Sequence, residues 1–159
     1  MKQLFVLSFF AILSFTWSSC DKCSSVKCIN SIGCEDGTCI CEQGYEGATC
    51  KNKANHKFLG AYDGRQNCDN NTKVLEISHV VSGEKPYEVT VVFNNNSVKA
   101  TVKETQIDFF EQDILFNGDS THILPTNGKL TGKQLVFSIH TKDKMGAEQT
   151  CVYNFTKKQ

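Results

Sequence analysis

The sequence predicts a mainly β protein in two unequal parts: a small disulfide-rich knob, then an antiparallel up-and-down barrel or a sandwich. Three observations predict it. Six of the nine cysteines crowd into residues 23–50. From Phe58 onward apolar residues recur with a period of two, the mark of half-buried strands. Clusters of Asn, Gly and Ser interrupt that alternation at short intervals, and no stretch carries a helical period. The charge balance, 17 basic against 17 acidic side chains, supplies no basic patch, so nucleic acid is not an expected partner.

Residues 1–19 read as a signal peptide. Lys2 supplies the positive start, and Leu4 to Phe15 is apolar except for Ser8 and Ser14, too short a run to span a bilayer. Ser18 and Ser19 are the small residues before a cut at Cys20. The segment LSFTWSSC resembles the loose lipobox of Bacteroidetes lipoproteins, with Trp17 where an aliphatic residue is usual. That resemblance implies lipidation of Cys20 and a membrane held through the lipid anchor. The alternative is an ordinary signal-peptidase cut and a secreted chain.

In residues 20–50 the cysteines run Cys23, Cys28, Cys34, Cys39, Cys41, Cys50, ending in CEQGYEGATC. Thirty residues with only Val26, Ile29, Ile32, Ile40 and Tyr45 as large apolar groups cannot bury a core that offsets chain entropy, so cross-links must stabilise them. Six cysteines allow fifteen connectivities. Cys39, Cys41, Gly44, Tyr45, Gly47 and Cys50 stand in the pattern of an EGF-like module, which the segment resembles. The resemblance implies Cys23–Cys34, Cys28–Cys39 and Cys41–Cys50. It does not imply calcium, because only Asp21 and Lys22 precede Cys23 and a hard cation needs several oxygen ligands. Zinc and redox readings of Cys20-x-x-Cys23 lack their usual surroundings. Cys68 and Cys151 remain, and a bridge between them would close most of the second part into a ring. Lipidation of Cys20 then accounts for the ninth cysteine.

Residues 51–57, KNKANHK, are polar and aperiodic and read as a linker. In residues 58–159 the alternating sets are Leu75, Ile77 and Val81; Tyr87, Val89, Val91 and Phe93; Val98, Ala100 and Val102; Leu135, Phe137 and Ile139; Cys151, Tyr153 and Phe155. Turns are expected at Asn94–Ser97, Asn117–Gly118, Asn127–Gly128 and Gly132–Lys133. The opening FLGAYDGRQNC, with Phe58, Gly60, Tyr62 and Cys68, and the run GKLTGKQLVFSI, with Gly128, Leu130, Gly132, Leu135 and Phe137, resemble the lipocalin-like domains of small Bacteroidetes envelope lipoproteins. That implies a barrel and brings no catalytic residue.

No catalytic, metal or cofactor constellation is written in the chain. His56, His79, His122 and His140 are scattered, as are Asp63, Asp108, Asp113 and Asp143, and no nucleophile elbow or phosphate loop occurs. An enzyme is not expected. The densest apolar patch runs from Ile107 to Phe116. Ile107, Phe109, Phe110, Ile114 and Phe116 are candidates to line a cavity for a small apolar ligand, against the plainer reading of core. Asn70, Asn95 and Asn154 head glycosylation triplets that matter in a eukaryotic secretory pathway, and Asp119-Ser120-Thr121 resembles a bacterial O-glycosylation acceptor. The expected function is an outer-membrane or cell-surface lipoprotein acting as an interaction or binding module, with the knob as spacer. The alternatives are a lipocalin-like carrier of a small apolar ligand and a secreted EGF-like signalling or adhesion protein.

Overall fold

The computed structural model describes residues 22–159 apart from 69–70, 76–77 and 117–118, together with the backbone alone of Phe116. The expected leader and Cys20 therefore lie outside the described residues, as do Asn70, Ile77 and the turn expected at Asn117–Gly118.

The knob begins with a 3-10 turn, Lys22–Ser25, followed by a hairpin of β1 (Ser31–Glu35) and β2 (Thr38–Cys41). Asp36 and Gly37 turn it with φ of 50° and 82°, the left-handed angles that match the twist of paired strands. A second, shorter ribbon pairs β3 (Tyr45–Glu46) with β4 (Asn52–Lys53). The bonded cysteines are Cys23–Cys34, Cys28–Cys39 and Cys41–Cys50. Cys39 and Cys50 are its buried apolar residues, while Ile29, Ile32 and Ile40 are exposed, so the cross-links take the place of a hydrophobic core.

The segment expected as a linker is folded. Its first part is β4, and a 3-10 turn, Ala54–Lys57, follows with Ala54 and Asn55 buried. The Asn55 side-chain amide donates to Ser82 Oγ (3.1 Å) and to the carbonyls of Glu88 (3.0 Å) and Lys85 (3.3 Å), and its backbone N–H donates to the Pro86 carbonyl. Composition marked the stretch as polar, but here the polarity satisfies buried backbone groups.

The remaining strands are β5 (Gly60–Cys68), β6 (Asn71–Leu75), β7 (Ser78–Ser82), β8 (Glu88–Phe93), β9 (Asn96–Lys103), β10 (Gln106–Phe109), β11 (Gln112–Phe116), β12 (Asp119–Leu124), β13 (Thr126–Thr131), β14 (Gln134–Lys142) and β15 (Glu148–Lys157). Eight of them, β5, β7, β8, β9, β10, β13, β14 and β15, form a closed antiparallel ring in chain order. It is a barrel, not a sandwich, because β15 pairs with β14 on one side and β5 on the other. The other three extend the ring: β6 lengthens the pairing on β5, and β11 and β12 continue β10 and β13.

Inward residues alternate with outward ones as the period of two requires. Val89, Val91 and Phe93, then Val98, Ala100 and Val102, Leu135, Phe137 and Ile139, and Cys151, Tyr153 and Phe155 are all buried. Two expectations need correction. Leu75 faces inward, but the next inward residues are Ser78 and Val80, and Val81 is exposed. Between the Gly64–Leu75 and Gly60–Val80 pairs the register shifts by one residue, which inverts every side chain beyond it. Asn127–Gly128 is no turn but lies within β13, where Gly128 pairs with Phe137. A Cβ at Gly128 would sit 2.5 Å from the Val136 carbonyl oxygen and 2.7 Å from Phe137 Cα, so the glycine marks close strand approach.

The two ends of the barrel differ. At one end Phe58, fully buried, and the 3-10 turn form a plug, with the Tyr62 hydroxyl donating to the Phe58 carbonyl at 2.6 Å. The knob docks on this end. Gly44 accepts from the Ala54 N–H (2.8 Å) and packs against Pro86 and Tyr87, and Lys57 pairs with Glu46 at 2.7 Å. The opposite end carries the Asn94–Asn95 turn, the Cys68–Cys151 disulfide and the 143–147 connection.

Candidate functional site

The barrel interior is filled. Tyr153 lies 4.8 Å from Phe93 and stacks on Phe137 at 5.0 Å with a 4° interplanar angle, and Phe137 meets Phe109 and Phe155 at 5.1 Å each. Ile107 and Phe109 belong to this core, and Ile114 packs against it half-buried. Phe110 turns outward, 43% exposed, beside Lys99 and Glu88 on the outer wall. Strand β10 ends at Phe109, and Phe110 follows it on the outward side. Ile107 and Phe109 are thus packed core, Ile114 borders it and Phe110 stands on the outer wall, while the side chain of Phe116 lies outside the described residues.

A cavity of about 400 Å³ opens at the end opposite the knob. Ile139, Cys151 and Tyr153 form its apolar part, and Gln66, Thr121, Thr141 and Gln149 surround it. Each of these polar residues stands in phase with an inward apolar neighbour: Gln66 with Tyr62, Thr121 with Ile123, Thr141 with Ile139, Gln149 with Cys151. Polar side chains on the inward phase near strand ends are the sequence signal that could have marked this mouth. The depressions along Asp63–Asn67 and along Lys103–Gln106 are larger, but they lie on the outer wall among outward side chains.

Tyr62 and Tyr153 are both pushed up by burial, Tyr62 to about 12 and Tyr153 higher, so both hydroxyls stay protonated donors at physiological pH. Tyr62 spends its proton on Phe58. Tyr153 is 1% exposed as a residue and lines the cavity, and its hydroxyl is not fully enclosed, so it stays open to the mouth. The Gln66 side-chain amide donates toward the disulfide, 2.7 Å from Cys68 Sγ and 3.6 Å from Cys151 Sγ.

Outside the barrel, the β11–β12 hairpin joins residues the sequence left scattered. His122 sits between Asp113 (Nδ1 to Oδ1, 2.8 Å) and Glu111 (Nε2 to Oε1, 3.0 Å). The hydrogen bond to Asp113, then that to Glu111, raises its pKa. Asp113 and His122 are a cross-strand pair, a register that spacing alone could not give. The two ring nitrogens face different carboxylates, so the three side chains share no common point, and no metal-binding group of three occurs among the described residues. His140 pairs with Glu148 at 3.4 Å, while His56 and His79 are exposed. Asp63 is tied to Lys158 at 2.9 Å, and Asp108 accepts from the Gln106 side chain.

No family model matches the chain, and no curated protein matches it.

Proposed function

We propose that the chain is a non-catalytic, extracytoplasmic binding module, tethered to a membrane through a lipid on Cys20 and resembling small envelope lipoproteins. The EGF-like knob is its spacer and the open barrel end is its binding face. One observation supports this reading: the knob packs on the plugged end of the barrel, Gly44 on Ala54, Pro86 and Tyr87 and Glu46 on Lys57, and the mouth lies at the opposite end. A spacer that held the mouth toward the bilayer would defeat its purpose.

The test is the intact mass of the protein from its native membrane fraction, before and after reduction and alkylation. The expected result is a start at Cys20 with added acyl mass and all other cysteines blocked until reduction. Cys20→Ser should move the protein into the soluble fraction. A soluble wild-type chain bearing glycans, or a Cys20 that alkylates before reduction, would overturn the anchor and favour the secreted alternative. The mouth cavity also supports the second reading, a lipocalin-like carrier, with the ligand at the rim of the barrel instead of among Ile107, Phe109 and their neighbours.

A further inference from the structure

The mouth combines an apolar floor with hydrogen-bonding groups and no cation. Ile139 and Cys151 offer a greasy surface next to the Tyr153 hydroxyl. That hydroxyl is not fully enclosed, so a ligand or water entering the mouth can bond to it. No Lys, Arg or His lines the cavity. Its two acids are committed elsewhere: Asp143 accepts from the Met145 and Ala147 N–H groups at 2.8 Å each, and Glu148 is held by His140 and Lys142 on the outer wall. The lining thus offers acids and no base to pair with an anion.

We propose that the mouth takes a small uncharged molecule with an apolar body and a hydrogen-bond acceptor, the acceptor bonded to the Tyr153 hydroxyl and the body lying on Ile139 and the Cys68–Cys151 disulfide. This rests on the reading of the mouth as the binding face, and it narrows the ligand: a ketone, ester or ether fits, and a fatty-acid carboxylate does not. The volume of about 400 Å³ is at the low end for ligand pockets, which suits a short chain or one ring.

The test titrates the disulfide-intact protein with 2-nonanone and, separately, with nonanoate at neutral pH, following backbone amide shifts of Gln66, Thr121, Gln149 and Tyr153. The ketone should shift these amides, and nonanoate should bind about tenfold more weakly. Tyr153→Phe should weaken the ketone about tenfold, the loss of one hydrogen bond. If nonanoate binds as well as the ketone, or Tyr153→Phe binds it unchanged, the proposed chemistry fails while the mouth stands as a binding face. If neither probe moves the mouth amides, both fail together.

Discussion

Ser78 is turned into the barrel, 3% exposed, among apolar neighbours: Phe93 opposite it in the ladder, and Leu75 and Phe155 around the Gly64 gap. Its hydroxyl is fully enclosed and has no partner among the described residues. A buried hydroxyl left unbonded costs about 1 to 3 kcal/mol. Ser78→Ala should therefore stabilise the protein, by about 1 kcal/mol, read as a higher urea midpoint at unchanged slope. A lower midpoint would mean that the hydroxyl is bonded in solution. Why a serine is there at all was not legible in the sequence. Continuing the alternation of Leu75 and Ile77 places Ser78 outside, and only the one-residue shift between the Leu75 and Val80 pairs brings it in. Gly128 teaches the same lesson from the other side. Asn127–Gly128 has turn chemistry, but the missing side chain serves the approach of Phe137.

The β11–β12 hairpin shows how pairing makes chemistry from residues that spacing leaves apart. Register sets His122 opposite Asp113, and Glu111 reaches the other ring nitrogen. Both carboxylates favour the imidazolium, Asp113 more strongly, so the folded pKa is raised above the ordinary value of about 6.5. A group whose pKa rises on folding stabilises most below its unfolded pKa. The stabilising contribution of His122 is therefore full below about pH 6.5 and fades as pH climbs through its folded value. In an NMR titration its ring protons should show a midpoint above 6.5, and Asp113→Asn should lower that midpoint. An unchanged midpoint in the variant would mean the pair does not hold in solution. The same hairpin departs from the barrel ladder, and Gln112 bridges the gap by accepting from the Lys99 N–H (3.0 Å) and donating to its carbonyl (2.8 Å). In the sequence this stretch was only a dense apolar patch, and the break after Phe109 depends on tertiary pairing.

At the scale of the molecule, alternation and turn chemistry were enough for a succession of antiparallel strands but not for their closure, because barrel and sandwich bury the same inward faces. Closure resides in β15, which pairs with β5 along a seam that ends at the Cys68–Cys151 rung. The cysteines were visible in the sequence; that they face each other across the first and last strands was not. Because the seam is also hydrogen-bonded from Tyr62 to Cys68, the disulfide acts chiefly on the unfolded chain, where it closes a ring with a sequence separation of 83. The chain-entropy account gives about 4 to 5 kcal/mol for such a ring. The double substitution Cys68→Ala with Cys151→Ala should lower unfolding free energy by roughly that amount in urea, while amide spectra change only around the mouth. The knob should respond differently to reduction. With Cys39 and Cys50 as its buried apolar residues, it has no hydrophobic core of its own, so reduction should collapse its amide dispersion while the barrel of the double variant stays folded. Loss of both at once would mean that the grip of Asn55 on Ser82, Lys85 and Glu88 makes knob and barrel one cooperative unit.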